Sequence, residues 1–373
     1  MYRKLLALLI ILVALASCAG NSNTSDTTIV NDAETAVSKK ADKFVVEKTP
    51  AAKLKETLKE YTYSNIFSAK IPEGWSVSTG GTDWYLWVRI YDPQNPSLQV
   101  FKILSTTGIL KSDRAKSFYQ QALSISGDNY LYGSPSEMVV NETGTMVEFF
   151  EDFMDYIAWI AKFDPTFSGF EYPNISAFQE IESWDMNDFY SSISIDDKLI
   201  HGEYIEPLSQ QRSEGIFSGA FTRGLSMTDP GYDVGFYIVY DVNGMTAPYG
   251  LLNEYQDLLS TIHKSINFTE SFISTAMRNQ QINFKGAQQV GEIMAQTSQM
   301  IVDGYNQRQQ TYDRVSQEYS DATMGYDRYY DKQTGELYKV EHGVMDNYTG
   351  DRYELAGPDS QYYNLPVAGY IYK

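Results

Sequence analysis

Phe67-Ser68-Ala69-Lys70-Ile71-Pro72-Glu73-Gly74-Trp75-Ser76-Val77 is the stretch on which the reading of the fold turns. Apolar Phe67, Ala69 and Ile71 alternate with polar Ser68 and Lys70, the period of a strand with one buried face. Pro72-Glu73-Gly74 turns the chain, and Trp75-Ser76-Val77 resumes it. Outward from here, Trp84–Tyr91 and Leu98–Leu104 carry the aromatic and β-branched content of strands. Asp92-Pro93-Gln94-Asn95-Pro96 breaks between them, because proline removes a ladder donor. Leu199–Ile205, Gly215–Phe221 and Gly235–Asp241 read as further strands, and Asn243-Gly244 as a tight turn. One mostly antiparallel sheet is expected to hold all of them, 67–77 included, with Phe67 and Trp75 substantially buried.

Helical periods flank these strands. Residues 251, 252, 255, 258, 259 and 262 are apolar, which makes 249–264 an amphipathic helix packed on the sheet. Ile266–Phe268 is a short closing strand, and Lys111–Leu123 a further helix. In 145–163, Met146, Phe149, Phe150, Phe153, Ile157, Ile160 and Ala161 recur at helical spacing opposite Glu148, Glu151, Asp152 and Asp155. A core-packed helix explains them; the sharper alternative is a sugar-binding aromatic platform. Residues 164–197 hold Pro, Gly, Asp and Ser breaks and resist assignment. The fold class is α+β: a mostly antiparallel sheet flanked by helices, then a long polar helical segment (272–322) and a small β tail (323–373).

The N-terminus has its own logic. Met1-Tyr2-Arg3-Lys4 supplies two positive charges, and Leu5–Ala16 is an unbroken apolar run too short to span a bilayer comfortably. The run ends in Leu15-Ala16-Ser17-Cys18, which resembles the bacterial lipobox. That resemblance implies a signal peptide over 1–17 and cleavage before Cys18, whose thiol carries diacylglycerol. Position 19 is alanine rather than aspartate, which in a two-membrane envelope implies the outer membrane, and otherwise the outer face of the cell membrane. Cys18 is the single cysteine, so no internal disulfide is possible. Residues 18–60 read as the lipidated cysteine and a flexible tether with a short helix, started by Pro50. The main domain covers 61–271.

Charge narrows the partners. Without Arg3 and Lys4 the chain has 29 − 2 = 27 basic against 48 acidic side chains. Residues 31–126 carry 13 basic and 10 acidic side chains (+3), 127–241 carry 4 and 21 (−17), and 242–373 carry 10 and 16 (−6). The acidic middle repels nucleic acid and anionic lipid, and suits a cation or a basic envelope partner. A solvated acidic face is the plainer explanation.

Phe67-Ser68-Ala69-Lys70-Ile71-Pro72-Glu73-Gly74-Trp75 resembles the opening hairpin of PsbP-like domains. Their usual ending is similar to the strand 235–241, the helix 249–264 and the text Ser265-Ile266-Asn267-Phe268-Thr269. The resemblance implies an α/β/α sandwich of the kind found in many bacterial lipoproteins, and it implies no chemistry. Tyr329-Tyr330-Asp331-Lys332-Gln333-Thr334-Gly335-Glu336-Leu337-Tyr338 also resembles the small β module that follows such domains.

A search for chemistry yields little. His201, His263 and His342 have no histidine or cysteine partner at ligand spacing, so no zinc site is read. His263, near the end of its helix, is expected to cap it or face solvent. No nucleophile elbow, phosphate loop or dinucleotide fingerprint occurs. Asp196-Asp197 and Asp185/Asp188 are candidate carboxylate pairs for glycoside cleavage. Asp331-Lys332-Gln333-Thr334-Gly335-Glu336 lacks the ligand pattern of a calcium loop, and a hairpin turn explains it. The sequence thus points to Cys18 as lipid attachment site, to no catalytic, metal or cofactor residue, and to a non-catalytic binding or scaffolding role. The alternative is an envelope hydrolase using carboxylates of 127–241. A third option is self-association through 272–320.

Overall fold

The structure, a computed structural model, describes residues 28–30, 44–106, 108–126, 137–186, 190–225, 228–229, 232–279 and 287–373. Strands β1 (Thr28–Val30) and β2 (Phe44–Lys48) precede helix α1 (Pro50–Glu56). A hairpin of β3 (Lys59–Tyr63) and β4 (Phe67–Ile71) leads to β5 (Ser76–Gly80), β6 (Trp87–Asp92), β7 (Asn95–Ser105) and the short β8 (Ile109–Leu110). Helices α2 (Asp113–Ser126), α3 (Met146–Glu151) and α4 (Phe153–Phe163) follow. Next come β9 (Ser176–Asp185), β10 (Ser194–Glu206), β11 (Gln211–Leu225), the small pair β12 (Thr228–Asp229) and β13 (Tyr232–Asp233), and β14 (Phe236–Pro248). Helix α5 (Leu252–Ser265), β15 (Asn267–Phe268), α6 (Glu270–Asn279) and α7 (Ala287–Met324) lead to β16 (Tyr326–Asp331), β17 (Glu336–Glu341), β18 (Tyr353–Leu355) and β19 (Val367–Tyr372).

The central sheet runs β5-β6-β7-β14-β11-β10-β9, antiparallel throughout, with β8 extending it beside β14. Both faces are apolar because both are covered. Leu98, Val100 and Leu104 of β7, with Ile216 and Met245, meet Leu258, Leu259 and Ile262 of α5 on one side. Phe101 and Ile103, with Phe217 and Val242, meet the rings of α3 and α4 on the other. Successive residues of β7 thus serve opposite cores, as strand alternation requires. Phe149, Phe150, Phe153, Tyr156, Trp159 and Ile160 are all buried, so the aromatic face of 145–163 is core and no platform; Ala161 is exposed. The expected single helix there is two, divided at Asp152, which ends α3 and begins α4.

The stretch 67–77 does not lie in one sheet. β4 pairs with β3 and β15 in a separate three-stranded sheet, and only β5 joins the central one. The division falls at Pro72, which has no N–H for a ladder, and at Gly74, whose φ of +86° suits glycine. Phe67 is fully buried, whereas Trp75 is only half-buried.

Asn243-Gly244 is no turn. Both residues sit inside the 13-residue strand β14, at the middle of the sheet. Glycine is there because of packing: a Cβ at Gly244 would lie 2.2 Å from the Phe101 ring.

Residues 44–48, expected within the tether, form β2 and complete a sheet ordered β1-β2-β19-β17-β16-β18. β19 pairs antiparallel with β2 and parallel with β17. Thr49 closes this sheet onto α1, accepting from the Ala52 N–H at 3.2 Å through its hydroxyl, with Pro50 at the first helical position.

Candidate functional site

A cleft of about 580 Å³ lies between α5, the C-terminal half of α7 and the sheet that carries β16, β17 and β19. Helix α5 supplies one wall because its two faces differ. Leu258, Leu259 and Ile262 turn into the core, while Asn253, Asp257, Ser260, Thr261 and Lys264 recur every three or four residues along the cleft. The opposite wall holds Gln317 and Ser320 of α7, Arg328 of β16, Lys339 of β17, Asn364 and Tyr370.

Charges in this wall are held in place. Asp321 of α7 is buried and takes Arg328 Nε at 2.5 Å and Lys339 Nζ at 2.6 Å. Arg328 also donates to the Tyr363 carbonyl at 2.7 Å and lies over the Tyr363 ring. Asp257 pairs with Lys55 of α1 at 2.5 Å. Burial pushes the Glu254 carboxyl above its ordinary range. Burial, and then the charge of Glu254, pushes the Tyr370 phenol up. The arrangement offers hydroxyls, amides and charges of both signs to a polar ligand.

Helix α5 is fixed at its start by Glu214, which accepts from the Gly250 N–H at 2.7 Å. Burial raises the Glu214 carboxyl, but His201 and the N–H groups of Gly250 and Leu252 outweigh it and hold the group below its usual value. Beneath the helix lies a polar network inside the core. Lys102 and Asp241 are 1% and 2% exposed and form an ion pair at 2.7 Å. Asn243 Oδ1 accepts from Lys102 Nζ at 2.9 Å and lies 3.1 Å from His263 Nε2. Asn243 Nδ2 donates to the Asp241 carbonyl at 2.6 Å and to Ser218 Oγ at 3.3 Å. His263 therefore neither caps its helix nor faces solvent: it is fully buried. Burial, then the charges of Lys102 and Lys264, holds its pKa well below the ordinary value.

The carboxylates that the sequence pairs as candidates within 127–241 diverge. Asp196 accepts from the Met146 N–H at 2.7 Å and so caps α3, while Asp197 accepts from Ser191 Oγ at 2.5 Å. Neighbouring positions on a strand point to opposite faces, so this pair meets no common substrate atom. Asp185 pairs with Lys198 at the surface, and Asp188 lies outside the described residues. Glu203 pairs with Arg212. The carboxyl of Asp152 is raised, first by burial and then by Glu148, Asp155 and Glu151 on the same surface.

Asp331 is a hairpin residue: it accepts from the Gln333 N–H at 2.9 Å and from Arg352 Nη2 at 2.7 Å. Burial raises its carboxyl, and Arg352 with the Gln333 and Thr334 N–H groups reverses that to a net lowering. Among the described residues no three or more His, Cys, Asp or Glu side chains converge as a metal site. Nor is any helix among them long and apolar enough to cross a membrane. Cys18 lies outside the described residues. The chain matches no family model and no curated protein.

Beyond the polar stripe of α5 the cleft gave no signal in the sequence, because its walls come from separate segments that only the tertiary fold brings together, from Thr49 to Tyr370. Lys102 did give one. A lysine inside Val100-Phe101-Lys102-Ile103-Leu104 is a charge on a strand buried on both faces, and it requires a partner there.

Proposed function

We propose that this chain is a lipid-anchored extracytoplasmic envelope protein whose folded part binds a polar ligand or partner without catalysis. The anchor is Cys18, read from Leu15-Ala16-Ser17-Cys18. The folded part is a PsbP-like domain followed by a long polar helix and a small β tail. Two observations support the domain reading. Helices lie on both faces of an antiparallel sheet. The two segments that carry the resemblance also bond to each other, Asn267 opposite Ser68 and Phe268 opposite Phe67.

The observation that carries the binding role is the cleft between α5, α7 and the C-terminal sheet, whose walls present hydrogen-bonding groups held by buried ion pairs. A non-catalytic role is favoured over hydrolysis because the candidate carboxylate pair Asp196-Asp197 serves two different faces of the sheet.

The test is a pull-down from the native envelope with the anchor intact, comparing the wild type with Asn253→Trp, which fills the cleft. A partner or glycan retained by the wild type and lost by the variant supports the reading. Equal retention by both removes the cleft from it. Cys18→Ser is expected to leave the membrane fraction or to stay unprocessed; an unmodified mature N-terminus at another residue removes the anchor.

A further inference from the structure

A second and smaller site lies on the sheet beneath α7. Strand β14 bulges there: Ser218 of β11 faces Asn243 while Ala220 faces Tyr240, so Gly219 opposes both Asp241 and Val242. Bulges re-aim side chains. Asp241 sits at the bulge with φ of +47°, in the left-handed region, and its side chain is 2% exposed. Oδ1 is the atom near Lys102, and among the described residues no group donates a hydrogen bond to Oδ2.

Asp241 lines a chamber of about 10 Å³ whose wall also holds Asp197, Ser218, Thr297 and Tyr190. That volume admits one water-sized particle. The hydroxyl and carboxylate groups on this wall, those of Tyr190, Asp197, Ser218, Asp241 and Thr297, all present oxygen, and Met186 adds one thioether. Oxygen donors that include two carboxylates select hard cations.

We propose that this chamber is a site for one dehydrated monovalent cation of sodium size. Three considerations fix the choice. Lys102 divides its charge between Asp241 and Asn243 Oδ1, so a fully buried carboxylate is only partly compensated. A divalent ion would meet twice the repulsion from Lys102. Magnesium keeps several waters, for which the chamber has no room. Thr297 belongs to α7, so the bound ion ties that helix to β14 beside Met294, Ile301 and Val302, which are buried.

Thermal melting of the full chain tests it, in sodium, potassium, choline, calcium and magnesium chlorides at matched ionic strength. Sodium is expected to raise Tm over choline by about 3–5 °C, saturating with concentration. Asp241→Asn should abolish the difference. Thr297→Val, which keeps the Lys102–Asp241 pair, should weaken it, and covers the case in which Asp241→Asn does not fold. Hydrogen exchange over 290–302 should slow with sodium in the wild type alone. Equal Tm in sodium and choline overturns the proposal and leaves a water in the chamber. A larger rise with calcium, or a sodium effect unchanged in Thr297→Val, also overturns it.

Discussion

Asp321 joins α7 to the C-terminal sheet, and its removal is the sharpest perturbation the structure offers. Asp321→Ala leaves Arg328, whose side chain is 4% exposed, and Lys339, at 22%, facing each other without a counter-charge. Breaking a buried pair by deleting one partner costs about 3–5 kcal/mol, since the remaining charge stays desolvated. Two cations are orphaned here, so the upper part of that range is expected. Arg328→Met is milder. It loses one ion pair and the bond to the Tyr363 carbonyl, but Lys339 still neutralises Asp321; about 2–3 kcal/mol is expected. Urea unfolding read by two probes separates local from global effects. All five tryptophans (Trp75, Trp84, Trp87, Trp159 and Trp184) precede α5, and the C-terminal sheet has none. Circular dichroism of Asp321→Ala should therefore show an early transition that tryptophan fluorescence does not. A cost under about 1 kcal/mol, or a larger cost for Arg328→Met, would refute the reasoning.

Other perturbations follow the same logic. Gly244→Ala forces a Cβ against the Phe101 ring in the middle of the sheet and should cost about 2–3 kcal/mol in denaturant unfolding; a neutral result would mean that the ring moves freely. His263 is held neutral in the fold, so the unfolded chain binds the extra proton as pH falls. Its contribution is present above the ordinary histidine value and lost below it, by at most about 1.4 kcal/mol per pH unit under pH ~6.5. His263→Gln should flatten that limb between pH 7 and 5, and an unchanged limb counts against a buried neutral ring. Asp331 is held below the ordinary carboxyl value, so its contribution is present above that value and lost as pH falls through the lowered one. Arg352→Met should cost about 3 kcal/mol at pH 7 and much less near pH 3, measured as the difference from wild type.

The strands were legible because period-2 alternation survives wherever the two faces differ, as at Phe67-Ser68-Ala69 in the small sheet and Lys198–Glu206 in the central one. Their grouping was less so. Pro72 and Gly74 were read as a turn within one sheet, whereas they mark the exit from a small sheet into a larger one. Asn243-Gly244 carries strong turn chemistry, yet tertiary packing overrides it: Asn243 serves Lys102, His263, Ser218 and Asp241, and Gly244 makes way for Phe101. β2 was missed because Phe44-Val45-Val46-Glu47-Lys48 is short and lies among mixed charges, with its partner at the far end of the sequence. Helix position alone sends His263 to the surface; the sheet beneath the helix buries it. Of the cleft, only the helical stripe of α5 was implicit in the sequence; Arg328, Lys339 and Tyr370 reach it through long-range contacts.

The pairing of β2 with β19 sets an order of events during synthesis. Gly369 lies opposite Lys48, a separation of 369 − 48 = 321 residues. A chain that emerges N-terminus first presents β2 long before β19, so β2 waits, unpaired on one edge, while the central sheet can form. Closing so long a loop carries an entropic cost that grows only slowly with length, but the search is slow. The central sheet can therefore be native while this sheet is still open, and a stall before Val367 would present β2 as a bare edge to proteases and to chaperones that bind extended segments.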